Sequence, residues 1–215
     1  MPDFVPDLSV ILGFALAGFV LAVTPGPDMA LFVSRTMNFG RAHGFAAVLG
    51  TSTGIAVHTM LVAFGISVLI VAAPTAFLVL KIAGALYLLW LAYGAVVHGG
   101  GLRLAERVAR TPTLRESYLT GVGINLLNPK VVLFFVTFLP QFVDRHDPAA
   151  PGKLFFLGGE FILVSIPVAI VMILAAERMA GLLATNRWVQ RALNWSFAAV
   201  FTAFAVTILL AEGRR

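Results

Sequence analysis

Four ionisable residues, Asp28, Lys81, Lys130 and Glu160, stand inside long apolar stretches of the chain. A charge at the centre of a membrane helix costs about 2.5–3.5 kcal/mol on insertion scales. Such residues normally face a bundle interior, where they pair with one another or mark the path of an ion or substrate. Two acids and two lysines could simply neutralise each other as structural ion pairs. Two of the four, however, stand beside helix breaks, which favours function for them. Asp28 closes the run Thr24-Pro25-Gly26-Pro27-Asp28, and Lys130 closes Asn125-Leu126-Leu127-Asn128-Pro129-Lys130. Proline removes a backbone donor and glycine permits unusual dihedrals, so these runs interrupt a helix. Backbone groups freed at membrane depth are tolerated only where they are buried in protein or line a wet cavity.

A broken helix offers complementary ends. The half-helix beginning near Asp28 points free N–H groups into the gap, and its partial positive charge suits a carboxylate. Carbonyls freed by Pro25 and Pro27 can accept from an ammonium group, while Asn125 and Asn128 both donate and accept. Together these groups describe a site for a zwitterion such as an amino acid, and equally for other small polar solutes. Asp28 also has a blander reading, as the N-cap of its half-helix. Lys81 lies about a third of the way into its span and could snorkel to the interface. Glu160 lies near the outer end of its span and could reach headgroups. For Lys81 and Glu160, function and structure weigh evenly. His58 could relay protons near neutral pH, although a hydrogen-bonded interior histidine is the commoner case.

The elements that hold these groups are membrane spans. Of 215 residues 60% are apolar and only 12% charged, against about 25% charged in an ordinary soluble domain. Mean hydropathy is +0.95. Six apolar segments are read, at residues 8–36, 43–71, 74–97, 116–139, 153–176 and 193–211, the first and fourth interrupted. As one straight helix, residues 8–36 would run about 43 Å, well beyond a hydrocarbon core about 30 Å thick. The chain therefore reads as an all-α polytopic membrane protein with six transmembrane helices. Residues 1–97 form one three-helix half, 98–115 a basic loop, and 116–215 a second half. Three spans is an odd number, so the second half enters the membrane from the opposite side. A broken helix at the same place in each half is the sequence mark of a transporter site at an inverted-repeat interface.

Charge placement sets orientation. Arg35, Arg41, Arg103, Arg107, Arg110, Arg115, Arg178, Arg187 and Arg191 fall on one side, against Arg145, Lys153, Arg214 and Arg215 on the other. The richer side is expected in the cytoplasm, with both termini outside. The net charge of +5 would suit a nucleic-acid partner, but short basic loops between spans account for it, and no nucleic acid is expected. The partners expected are the lipid bilayer and a small-molecule substrate; a homo-oligomer is left open. Asp3 and Asp7 stand where a signal peptide would carry basic residues, so none is expected. The absence of cysteine removes disulfides, thiolate metal sites and a cysteine nucleophile. Four histidines and few acids make a metal site thin, and no cofactor or metal is expected. Gly40, Gly44, Gly50 and Gly54 are spaced as small-xxx-small pairs and read as helix packing. Tyr87, Trp90, Tyr93, Trp188 and Trp195 read as interfacial belt residues, and Phe134 and Phe135 as lipid-facing or core.

These motifs resemble the LysE/RhtB family of bacterial amino-acid exporters. The resemblance is carried by AVTPGPDM at 22–29, the glycine-spaced segment 38–65, LKIAGALYLLWL at 80–91 and GINLLNPKVVLFFVTFLPQFV at 123–143, about a third of the chain in the family's order. It implies six transmembrane helices, an inner-membrane location and efflux of amino acids or related metabolites driven by the proton-motive force. By family motif, Pro25, Gly26, Pro27, Asp28, Asn125, Asn128, Pro129 and Lys130 are the residues carried over, Thr24 opens the first run, and Lys81 matches the family's LKxxGA. The chain departs from the family in two places. Many members carry an acid in the middle of span 5, where Ser165 stands here, with Glu160 about one turn earlier; and the last span lacks the glycines common there. Asp28, Lys81, Glu160 and His58 are thus the candidates for proton coupling or ion pairing. The expectation is an exporter working by alternating access, not an enzyme, since neither HExxH nor a paired G-x-S-x-G occurs. A cation or metal exporter of a related family is the runner-up, and an intramembrane enzyme ranks below it.

Overall fold

The computed structural model describes residues 3–24, 26–66, 110–144, 147–176 and 187–210, with isolated helical positions between 79 and 97. Among the described residues every regular element is a helix. Helix α1 (Leu8–Val23) and helix α2 (Pro27–Phe39) meet at 53°. Thr24 ends the first, and Gly26, fully extended at φ −173° and ψ −178°, precedes the second. Pro27 occupies the first helical position of α2, where its missing N–H would have had no partner in any case. Pro25 lies outside the described residues.

Gly40 has a φ of +90°, and among the described residues it is the one position in that region. It joins α2 to α3 (Arg41–Leu61), and a Cβ there would meet nothing within 4 Å. The packing role read for Gly40 therefore does not hold. It serves a left-handed corner that glycine reaches without steric cost. After Leu61 the helix widens to a π turn over Val62–Ile66.

Helix α4 (Leu114–Leu126) starts from a capping box, in which the Glu116 N–H donates to Thr113 Oγ1 at 3.1 Å and the Thr113 N–H to Glu116 Oε2 at 2.6 Å. It stops two residues before helix α5 (Pro129–Leu133). From α5 the chain winds on through a π segment (Phe134–Phe138) and a 3-10 turn (Leu139–Phe142). Pro140 has no N–H with which to continue the α ladder there. The two limbs of this span, Leu114–Leu126 and Pro129–Phe142, are bent by 50°. Both broken spans expected from the sequence are thus present, and they bend to nearly the same degree.

Helix α6 (Ala150–Leu174) and helix α7 (Arg187–Leu210) complete the described elements. Arg41–Gly65 and Ala150–Leu174 are each long and apolar enough to cross a membrane, as is each bent pair taken as one span. The fold is that of a polytopic membrane protein. Span 3 is described only at isolated positions, and Lys81, Tyr87 and residues 98–109 lie outside them. Helix α7 starts at Arg187 rather than near 193, so part of the segment read as a loop is helical.

Glycines set how closely the helices approach. A Cβ on Gly50 would strike the carbonyl of Tyr118, and one on Gly121 the carbonyl of Ala47, so α3 and α4 touch backbone to backbone. Gly44 accommodates Thr36 and Ile173, and Gly158 on α6 accommodates Thr59 on α3. On the side of the breaks that carries the N-terminus and Val143, six rings fill the interior: Phe14, Phe134, Phe135, Phe138, Phe142 and Phe161. Neighbouring centroids among them lie 5.1–5.8 Å apart, the spacing of tilted and edge-on aromatic pairs. Phe134 and Phe135 are thus core, not lipid-facing. Trp90, Tyr93, Trp188 and Trp195 are exposed, as belt residues are.

Candidate functional site

The two breaks face each other. Asn128 is the N-cap of α5, its Oδ1 accepting from the Lys130 N–H at 3.1 Å, and this start aims Lys130 back across the bundle. The buried Lys130 Nζ donates to the carbonyls of Thr24 at 2.9 Å and Leu21 at 3.1 Å. These are the last carbonyls of α1, at the partial negative end of its dipole, where an ammonium is the suited partner. One of the three ammonium donors remains. Gly26 leaves the room for this contact: a Cβ there would sit 3.1 Å from Lys130 Nζ and 3.3 Å from Cε. Of the carbonyls expected to receive a substrate's ammonium, that of Leu21, four residues before Pro25, is therefore occupied by the chain's own lysine.

Asp28 is the second residue of α2 and makes no cap hydrogen bond; Gly26 is the N-cap. The bland reading of Asp28 as a cap therefore fails, because Pro27 takes the first helical position and moves the carboxylate past the place where a cap must sit. Asp28 Oδ2 instead accepts from Asn125 Nδ2 at 3.0 Å, across 97 residues of sequence. Its Oδ1 is buried without a partner. Asn125, itself fully buried, stands at the end of α4 against Gly54, where a Cβ would lie 2.5 Å from its Oδ1. Asp28 and Lys130 form no ion pair within 4 Å, whereas Arg110 pairs with Glu116 and Lys153 with Asp147.

Asp28 and Lys130 line a common cavity of about 50 Å³. It lies between the ends of α1 and α2 and the facing sides of α3, α5 and α6. It extends from the breaks toward Phe32, Val48 and Met172, the direction of Arg35 and Leu114, and of the six phenylalanines Phe161 alone stands on its wall. Its polar wall adds Thr51, Ser52 and Ser165. Sequence reading noted Thr51 and Ser52 as polar atoms of their span and Ser165 as standing where many family members carry an acid, but gave none of them a place in the site; it did not pick out the apolar lining, although Phe161, Ser165, Val168, Ala169 and Met172 recur at helical spacing and so share one face of α6.

The other candidates lie apart. His58 is buried, with Nε2 3.4 Å from the Asn125 carbonyl and its ring against Phe135. It is the hydrogen-bonded interior histidine the sequence favoured. Glu160, eleventh of the 25 residues of α6 and so nearer the helix centre than expected, does not line the cavity, and its Oε2 is buried without a partner. Of the predicted residues, Thr24, Gly26, Asp28, Asn125, Asn128, Pro129 and Lys130 come together at the breaks. Pro27 heads α2 beside them, Glu160 and His58 stand aside, and Pro25 and Lys81 lie outside the described residues.

Comparison with known proteins agrees with this architecture. A family model described as LysE type translocator matches residues 19–212. A homoserine/homoserine lactone efflux protein of Salmonella typhimurium is 29% identical over 206 residues, covering 94% of this chain and 95% of its own. A leucine efflux protein of Klebsiella pneumoniae is 27% identical over 201 residues, covering 92% and 93%. A membrane protein of Vibrio cholerae is 32% identical over 145 residues, covering 64% and 67%. No solved structure matches the chain.

Proposed function

This chain belongs to the LysE type translocator family, and we propose that it exports an amino acid or a close metabolite across the bacterial inner membrane in exchange for protons, by alternating access. The observation that carries the reading is the pairing of one carboxylate and one ammonium at two facing helix breaks. Asp28 offers a buried oxygen without a partner, and Lys130 a third N–H, on the wall of one cavity. A substrate's ammonium goes to Asp28 and its carboxylate to Lys130. This exchanges the partners assigned from sequence, because the carbonyls of Leu21 and Thr24 already serve Lys130. The relatives' names, an efflux protein for homoserine and its lactone and one for leucine, support a substrate of this size.

The arginine-rich loops support a cavity side that faces the cytoplasm, with both termini outside; in this reading substrate loads from within the cell. The aromatic cluster closes the outward path in this state. Release requires that cluster to part while the half-helices close over the emptied cavity. Return of the empty carrier follows proton binding at Asp28 or Glu160, each a carboxylate with an oxygen that no protein donor satisfies. Cells expressing the chain, loaded with a panel of labelled amino acids, test this. Efflux of at least one substrate that collapses with an uncoupler is expected. Efflux indifferent to the uncoupler would remove proton coupling, and no efflux of any amino acid would remove the export reading.

A further inference from the structure

The charges on the cavity wall specify more than a zwitterion. Asp28 and Lys130 are the charged residues of the lining. A substrate's ammonium and carboxylate use both, and nothing on the wall remains to neutralise a third charge. The rest is apolar, with Phe32, Val168 and Met172 among its members, apart from the hydroxyls of Thr51, Ser52 and Ser165. Thr51 and Ser165 spend their donors on their own helices, to the carbonyls of Val48 at 2.9 Å and Ile162 at 3.1 Å. Their oxygens keep lone pairs that accept but have no proton left to give. A charged side chain held here would be stripped of water without a counter-ion, which is strongly unfavourable. An aliphatic side chain, or one ending in a single hydroxyl, meets carbon and acceptors.

We propose that the wall formed by Thr51 and Ser52 of α3, Ser165 and Met172 of α6 and Phe32 of α2 is the side-chain subsite, and that it admits neutral amino acids, aliphatic or hydroxylated, and excludes basic and acidic ones. The inference rests on the cavity's being the substrate site. Met172, unbranched and flexible, lets this wall adapt to aliphatic side chains of different length.

The test is ligand-induced thermal stabilisation of the full chain in detergent, with L-leucine, L-homoserine, L-lysine and L-glutamate as probes, in the wild type and in Ser52→Asp. Wild-type protein is expected to be stabilised by leucine and homoserine at concentrations at least tenfold below those needed for lysine or glutamate. Ser52→Asp places a carboxylate in the side-chain subsite and is expected to move the preference toward lysine by at least tenfold. Met172→Glu, nearly the same size as the residue it replaces, tests the same point from α6 if the first variant does not fold. Equal stabilisation by lysine and leucine in the wild type would overturn the subsite while leaving an amino-acid exporter intact, as would a preference that neither folded variant moves. Stabilisation by none of the four would overturn the subsite together with the site assignment beneath it.

Discussion

The two sides of the helix breaks are built from opposite materials. On the side toward Arg35 and Leu114, the bundle is thinned by glycine and holds a cavity whose walls carry Asp28, Lys130 and three hydroxyls. On the side toward the N-terminus and Val143, six phenylalanine rings fill the interior, one of which, Phe161, also borders the cavity. Lys130 sits at the boundary, on the same limb as four of those rings but with its ammonium turned onto the end of α1. A charge-balanced pocket and an aromatic plug thus meet within one turn of helix, the arrangement on which the proposed alternating access rests. The lesson is that the breaks do more than free backbone groups. They let a single span serve two chemistries.

The contrast can be broken from either side. The largest effect is expected at the α3–α4 seam on which both sides hang. Gly50→Ala drives a methyl into the Tyr118 carbonyl, and backbone cannot yield as a side chain can. The cost should reach or exceed the top of the about 1–3 kcal/mol range for overpacking, read as loss of folded protein in detergent. Phe134→Ala comes next. Phe134 is 2% exposed and touches Phe14, Phe135, Phe138 and Phe161. Lipid removes most of the water-transfer contribution, so the loss should fall below the roughly 3–5 kcal/mol of a soluble core. Melting temperature should drop, and preloaded substrate should leak without a proton gradient, because the plug rather than the pocket has been damaged.

Lys130→Met sharpens the comparison from the pocket side. It removes two charge-assisted hydrogen bonds worth about 1.5–3 kcal/mol each. Efflux should fall by about 10- to 100-fold with no rise in passive leak. A variant that leaked would put Lys130 in the plug instead. The smallest effect is expected at the turn before α6. There the Lys153 ammonium, and then the Ala149 N–H, hold the Asp147 carboxylate below its ordinary value of 3.8. A depressed carboxylate contributes stability above its unfolded value and loses it as pH falls through the folded one. Melting curves of wild type and Asp147→Asn should therefore differ slightly from pH 7 down to pH 5 and converge only in acid below about pH 4. A difference that vanished near pH 6 would place the titration elsewhere.

Much of this was legible in the residues. Pro27 and Pro129 mark where helices begin, and the two breaks and the polytopic helical class follow from them and from the apolar runs. The cap assignment of Asp28 was not legible, because it turns on whether the half-helix starts at Gly26 or one residue later, a shift that moves a carboxylate from cap to pocket. Nor was the bond from Lys130 to Leu21 and Thr24, which spans 109 and 106 residues and leaves no trace in local spacing. Gly40 and Gly44 look alike in sequence, yet one is a left-handed corner and the other a packing contact; only the backbone dihedral separates them. Ser165 drew notice only as the place of an absent acid, and the role of Ser52 and Ser165 on the cavity wall was not legible, since a hydroxyl in an apolar helix normally bonds to its own preceding turn.

The most direct measurement is export of labelled substrate from preloaded vesicles by Asp28→Asn, set beside wild type and matched for folded protein by melting temperature. Asparagine keeps the size and the capacity to meet Asn125 but removes the charge that the pocket sets against Lys130. Export should fall by at least about tenfold, one lost charge-assisted interaction, with the melting temperature little changed. Full export by a folded Asp28→Asn protein would contradict the account at its centre.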